Sequence, residues 1–186
     1  EVDVVAAPTN GARSFIEHQL MTIGGEDALA STAGDPTTFS IYTSDAFGNI
    51  KKSGGEEFSV KIGPVAEARI KDNKNGTYTA NYTMTVAGTY DMEVQVNGMY
   101  LFQPVEQYDV NKGAYVLNVM PGTAVAEKST ATGRGLKSGT AGDTMSFLAT
   151  AFDTYGNRLS GSEEAFRATI SAAAEGDDAA VASCLR

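Results

Sequence analysis

Acid–base or metal chemistry needs histidines, cysteines and carboxylates in clusters, and this chain supplies them sparingly. It holds one histidine, His18, and one cysteine, Cys184, in 186 residues. A Ser-His-Asp or Cys-His device would have to run through His18, and a metal site with two imidazole ligands is impossible. His18 lies in the polar run Ile16-Glu17-His18-Gln19 and reads as a loop residue. Cys184 reads as an inert thiol near the C-terminal end, and one cysteine closes no intrachain disulfide. Two aspartates recur in one setting, Asp45-Ala46-Phe47-Gly48-Asn49 and Asp153-Thr154-Tyr155-Gly156-Asn157. Carboxylate and amide oxygens suit calcium, but one Asp and one Asn fall short of the roughly six to eight oxygens a closed shell needs. The expected role is a turn in which the Asp caps backbone N–H groups. Glu175, Asp177 and Asp178 read as an acidic loop. Asn75-Gly76-Thr77 and Asn81-Tyr82-Thr83 fit the N-glycosylation acceptor pattern, which matters only in a secreted chain. No residue is assigned a catalytic, cofactor-binding or metal-binding role, and the chain reads as non-enzymatic.

The aspartates recur because the chain repeats itself. Thr32-Ala33-Gly34-Asp35 returns as Thr140-Ala141-Gly142-Asp143, an offset of 108 residues. At that offset Phe39 meets Phe147, Asp45 meets Asp153, Gly48-Asn49 meets Gly156-Asn157, and Phe58 meets Phe166. Val5-Ala6-Ala7-Pro8-Thr9, followed by Ser14, resembles Val119-Met120-Pro121-Gly122-Thr123, followed by Ser129. These matches divide the chain into residues 1–8, the end of a preceding repeat or a linker; 9–121, one complete repeat; and 122–186, the start of the next. The sequence is thus expected to be a window on a longer tandem array, with short links such as residues 120–128. Ser14 precedes Thr32 by 18 positions, whereas Ser129 precedes Thr140 by 11. The complete repeat therefore holds about seven extra residues within 15–31, where residues 15–20 allow a turn of helix.

One repeat reads as β throughout. Residues 89–96 alternate strictly between polar and apolar, the period of a strand with one wet and one buried face. Tyr78, Ala80 and Tyr82 form a second apolar row; Phe58, Val60 and Ile62 a third; Tyr115, Leu117 and Val119 a fourth; Phe39 and Ile41 begin a fifth. Asn75-Gly76 and Asn97-Gly98 mark tight turns, and Gly63-Pro64 breaks a strand. Short strands between such turns predict an all-β protein, an immunoglobulin-like antiparallel sandwich in tandem repeats.

Composition narrows the partners. Fourteen Lys and Arg stand against 23 Asp and Glu, a formal charge of −9, which disfavours nucleic acid and anionic membrane surfaces. No uninterrupted apolar run reaches the roughly 18–20 residues of a membrane helix.

Gly133-Arg134-Gly135-Leu136-Lys137-Ser138-Gly139-Thr140-Ala141-Gly142, continuing through Phe147, Asp153 and Gly156-Asn157, resembles the opening of the filamin-type immunoglobulin repeat. Asn75-Gly76-Thr77-Tyr78, Gly88-Thr89-Tyr90 and the apolar run 114–119 are similar to later strands of that family. The first repeat departs from it, with Gly24-Gly25-Glu26-Asp27-Ala28-Leu29 at the entry and a long stretch over 99–111. The immunoglobulin-like domains of invasin-type bacterial surface proteins share the Asp-x-x-Gly-Asn turn, and remain a second resemblance. The filamin resemblance implies a cytoskeletal or ciliary scaffold in the cytoplasm, any actin-binding module of which would lie outside this window. The alternatives are a cell-surface adhesion array and an accessory domain of a larger enzyme. It also implies protein partners, neighbouring repeats among them, that add a β-strand between the third and fourth strands. Here those strands fall at about 57–62 and 65–71, and Ser59, Lys61, Ala66, Ala68 and Ile70 are the expected groove residues. No cofactor, nucleic acid or membrane insertion is implied for this segment.

Overall fold

The computed structural model describes residues 5–17, 20–23, 26–101, 108–109 and 114–160. The chain divides into two compact units, Glu1–Met120 and Pro121–Arg186. His18, Cys184 and the acidic residues Glu175, Asp177 and Asp178 lie outside the described residues.

Among the described residues of the first unit a short 3-10 turn, Gly11–Arg13, leads into twelve strands: β1 Phe15–Glu17, β2 Leu20–Ile23, β3 Glu26–Thr32, β4 Thr37–Tyr42, β5 Phe58–Ile62, β6 Ala66–Glu67, β7 Arg69–Asp72, β8 Thr77–Tyr82, β9 Gly88–Val96, β10 Met99–Tyr100, β11 Tyr108–Asp109 and β12 Ala114–Met120. Residues 15–17 and 20–23 are strands, not the helical turn that residues 15–20 allow. β1 pairs with β4, and β2 turns back onto β3, so ladder hydrogen bonds satisfy this backbone. One sheet runs β1-β4-β8-β7, the other β2-β3-β12-β9-β5-β6, with β10 beside β9 and β11 beside β12. Among the described residues every strand pairing is antiparallel except β12 with β3, which places Leu117 beside Leu29.

The period-2 rows become the core. Phe39, Ile41, Val60, Ile62, Tyr78, Ala80, Met92, Val94, Val96 and Leu117 are buried between the two sheets. The rings of Phe39 and Tyr82 meet edge to face with centroids 6.3 Å apart, a favourable quadrupole geometry. Outward-facing residues of the same strands are polar. Thr38 donates to Asn81 across β4 and β8 at 2.9 Å, and Thr89 donates to Asn118 across β9 and β12 at 2.8 Å. Among the described residues no helix is long and apolar enough to cross a membrane.

A second segment departs from its sequence reading. Residues 65–71 look like a single strand but are two. β6 belongs to the β5 sheet, and β7 pairs with β8 in the other. The chain changes sheets at Ala68.

In the second unit the described elements are β13 Thr130–Thr132, a 3-10 turn Arg134–Leu136 and β14 Leu148–Thr150. β13 pairs with β14, Thr130 opposite Thr150 and Thr132 opposite Leu148. This is the register of β1 on β4, where Phe15 faces Tyr42 and Glu17 faces Ser40.

Candidate functional site

Two places concentrate polar or exposed backbone groups: the turn at Asp45, with its counterpart at Asp153, and the free side of β5.

Asp45 is 1% exposed, yet its carboxylate is fully engaged. Oδ1 accepts the backbone N–H of Phe47 and of Asn49, each at 2.9 Å. Oδ2 accepts the Asn49 side-chain amide at 2.9 Å and the Ala7 backbone N–H at 3.0 Å. Gly48 takes the left-handed φ of +86° that lets the turn close. The Asn49 side-chain amide, aided by the three backbone donors against the cost of burial, holds the Asp45 carboxyl well below its ordinary range, at about 2. Four N–H dipoles aimed at one carboxylate stabilise an anion and leave no free oxygen face for a cation, so the turn-cap role is the one this geometry serves.

Asp153 repeats the arrangement. It accepts Tyr155 N–H at 2.9 Å, Asn157 N–H at 2.8 Å, the Asn157 amide at 2.7 Å and Gly122 N–H at 2.9 Å. Burial pushes its carboxyl up, but Asn157 and the backbone donors outweigh burial and the net direction is down. Ala7 and Gly122 therefore hold equivalent places, 115 residues apart, as do the Ser14 and Ser129 hydroxyls, which bond the Asn10 and Val125 carbonyls. Gly122 and Val125 are hydrogen-bonded within the second unit, so much of the expected 120–128 link is part of that unit.

Around Asp45 lies a further polar network. Glu56 accepts Thr9 Oγ1 and the Asn97 side-chain amide. Lys51 Nζ stands 3.7 Å from Glu56 and donates to the Ala7 carbonyl at 3.1 Å. Burial opposes ionisation of Glu56, while Thr9, Asn97 and Lys51 outweigh it and lower its pKa. The segment entering the unit is thus tied to the loop before β5 by two carboxylates.

β5 pairs on one side with β9, from Phe58 opposite Val96 to Ile62 opposite Met92. On its other side β6 covers only the C-terminal half: Lys61 faces Glu67, Ile62 faces Ala66, and Ala68 N–H donates to the Val60 carbonyl at 3.0 Å. Backbone groups alternate sides along an antiparallel strand, so Phe58 presents its N–H and C=O on the same side as Val60. Among the described residues no strand covers it there. Beyond this opening Asp72 of β7 accepts Gly55 N–H at 3.0 Å, closing the far end. Phe58, Ala68 and Ile70 are partly buried against the core beneath the opening, with the Phe58 ring 4.5 Å from that of Tyr78.

The five expected groove residues fall on different surfaces. Ser59 and Lys61 are exposed on the outer face of β5. Ala66 and Ala68 flank the β5 edge and pack inward. Ile70 packs inward from the opposite sheet, facing Ala80. Phe58, which forms the open edge itself, is absent from that set. Its parity with Val60 and Ile62 marks it as an inward side chain, but the end of β6 that leaves it uncovered is a tertiary fact.

The Filamin/ABP280 repeat model matches residues 17–111, about half of the chain. Human tripartite motif-containing protein 2 is 31% identical over 109 residues, which take up 50% of this chain and 14% of that protein. Among solved structures, the Escherichia coli adhesin FdeC superposes with a TM-score of 0.60 at 22% identity, over 94% of this chain and 51% of that one. Bacterial invasin, an integrin-binding protein, gives 0.55 at 20% identity, over 95% of this chain and 35% of that one. These structural likenesses speak to a shared immunoglobulin-like sandwich. With the family match spanning the strands that frame the Asp45 turn and the β5 edge, the chain belongs to the Filamin/ABP280 repeat family.

Proposed function

We propose that this chain is a non-catalytic segment of a tandem array of filamin-like repeats that serves as spacer and protein-docking scaffold. A partner adds an extended strand along β5. The observation that carries this reading is the uncovered backbone of β5 at Phe58, bordered by the apolar side chains of Phe58, Ala68 and Ile70. Strand addition takes affinity from main-chain bonds and specificity from alternate side chains, and this edge offers both. Under this reading residues 122–186 begin a further repeat, and the array works in the cytoplasm at the cytoskeleton or a cilium. The test is capture of defined partners by the chain and by a Ser59→Asp variant, an exposed position that leaves the core untouched. The proposal expects the variant to lose partners at least tenfold while melting like the parent. Equal capture by the folded variant would remove the β5 edge as the site.

A cell-surface array is the second reading, supported by the exposure of both Asn75 and Asn81 in the acceptor pattern. Asn75 also accepts the Thr77 hydroxyl at 2.7 Å. Mass spectrometry of protein from its native source decides: glycan on either Asn favours the surface, while unmodified asparagines in a cytosolic fraction favour the scaffold.

A further inference from the structure

The docking edge is partly filled by the chain's own segment 66–68. We infer that β6 is a built-in guard that must peel away before a full-length partner strand can add to β5, and that its sequence copies the ligand the edge accepts. This rests on strand addition at β5 as the binding mode.

Three features mark the guard as easy to open. β6 is two residues long, against the five-residue β5 beneath it. It hangs on a turn in which Gly63 takes φ +48° and residues 63–65 are exposed, Val65 to 55%. The inward side chains of segment 66–68, Ala66 and Ala68, are small and only partly buried, so little apolar area holds it down.

The same three residues show what the edge selects. Ala66 lies opposite Ile62 and Ala68 bonds Val60, so the inward positions take small apolar side chains over a full core. Glu67 stands opposite Lys61 on the outer face, so the position between them takes a carboxylate. The partner is therefore an extended peptide reading small-apolar, acidic, small-apolar. It competes against an intramolecular strand whose effective concentration is on the order of millimolar, which keeps affinity for the closed form low.

The experiment uses the whole chain and a fluorescent peptide of residues 64–70, Pro-Val-Ala-Glu-Ala-Arg-Ile, as probe. Ala68→Pro removes the N–H that bonds Val60. The inference expects at least a tenfold gain in peptide affinity over the parent, in a variant that keeps its circular dichroism and cooperative melt. Should Ala68→Pro fail to fold, Glu67→Lys places like charges opposite each other on an exposed face and is expected to raise affinity about threefold. Amide hydrogen exchange of the parent gives an independent reading: the Ala68 amide is expected to exchange at least a hundredfold faster than that of Val94 in the central strand β9. Exchange at Ala68 as slow as at Val94 overturns the guard and leaves strand addition standing. Fast exchange with no affinity gain in a folded variant overturns strand addition and the guard with it.

Discussion

The turns at Asp45 and Asp153 bind their carboxylates through the same four donors, yet their surroundings differ. In the first, Lys51, Glu56, Thr9 and Asn97 add an ionic layer. In the second, the places of Lys51 and Thr9 are held by Leu159 and Ala124, as the matching backbone bonds Lys51 N–H to Thr43 and Leu159 N–H to Ala151 establish. The comparison separates what the turn requires from what it tolerates. A buried carboxylate capping four N–H groups recurs unchanged, because removing it would strand all four. The Lys51–Glu56 contact has no counterpart at Leu159, an uncharged side chain, as suits an interaction whose Coulomb gain and desolvation cost nearly cancel.

The sharpest way to break the comparison is to remove each carboxylate. Asp45→Ala is expected to lower the melting temperature of the first unit by on the order of 10 °C, and to expose the Ala7 amide to hydrogen exchange. Asp153→Ala should do the same to the Gly122 amide while leaving Ala7 protected. Equal protection of Ala7 in parent and Asp45→Ala would show that the cap does not hold the entering segment.

Gly76 comes next. Its φ is +83°, and a Cβ there would overlap the Lys51 carbonyl, which is backbone and cannot swing aside. Gly48, at φ +86°, has nothing within 4 Å of a Cβ. Gly76→Ala should therefore cost about 3 kcal/mol in denaturant unfolding and Gly48→Ala only about 1 kcal/mol, the strain of the left-handed backbone alone. Comparable losses would mean that close packing against Lys51 contributes nothing.

Acid titration probes the carboxylate with a fixed sign. The Asp45 pKa falls on folding from 3.8 to about 2, so its contribution is complete above the unfolded value and is lost as the pH drops towards 2. Stability of the parent should decline over that window, and Asp45→Asn should flatten the decline. A decline of equal slope in Asp45→Asn assigns it to other carboxylates.

The smallest effect is expected from Lys51→Leu, which gives the first turn the second turn's residue. Stability should change by less than about 1 kcal/mol, and the salt dependence of unfolding should weaken. A loss several times larger would make the ionic layer part of the fold.

Much of the molecule is legible in its residues. The rows at 58–62, 78–82, 89–96 and 115–119 alternate with period 2, and each puts its apolar set in the core, because a strand has only two faces and water selects between them. The paired Asp-x-x-Gly-Asn turns are legible too, since Asp capping and a left-handed glycine are local chemistry. The division of residues 65–71 is not. Ala66, Ala68 and Ile70 keep one unbroken alternation, and all three do face inward. That alternation is identical whether the strand stays in one sheet or passes to the other, so it carries no mark of the crossing at Ala68.

Side-chain period and turn chemistry thus dictate which residues face the core, because each residue's preference is settled by its own neighbours and by water. Pairing is another matter. That β6 ends after two residues along β5 and leaves the Phe58 backbone uncovered follows from the chain's passage into the other sheet, where β7 pairs with β8, a partner brought there by the packed core as a whole and written in no single stretch of chain.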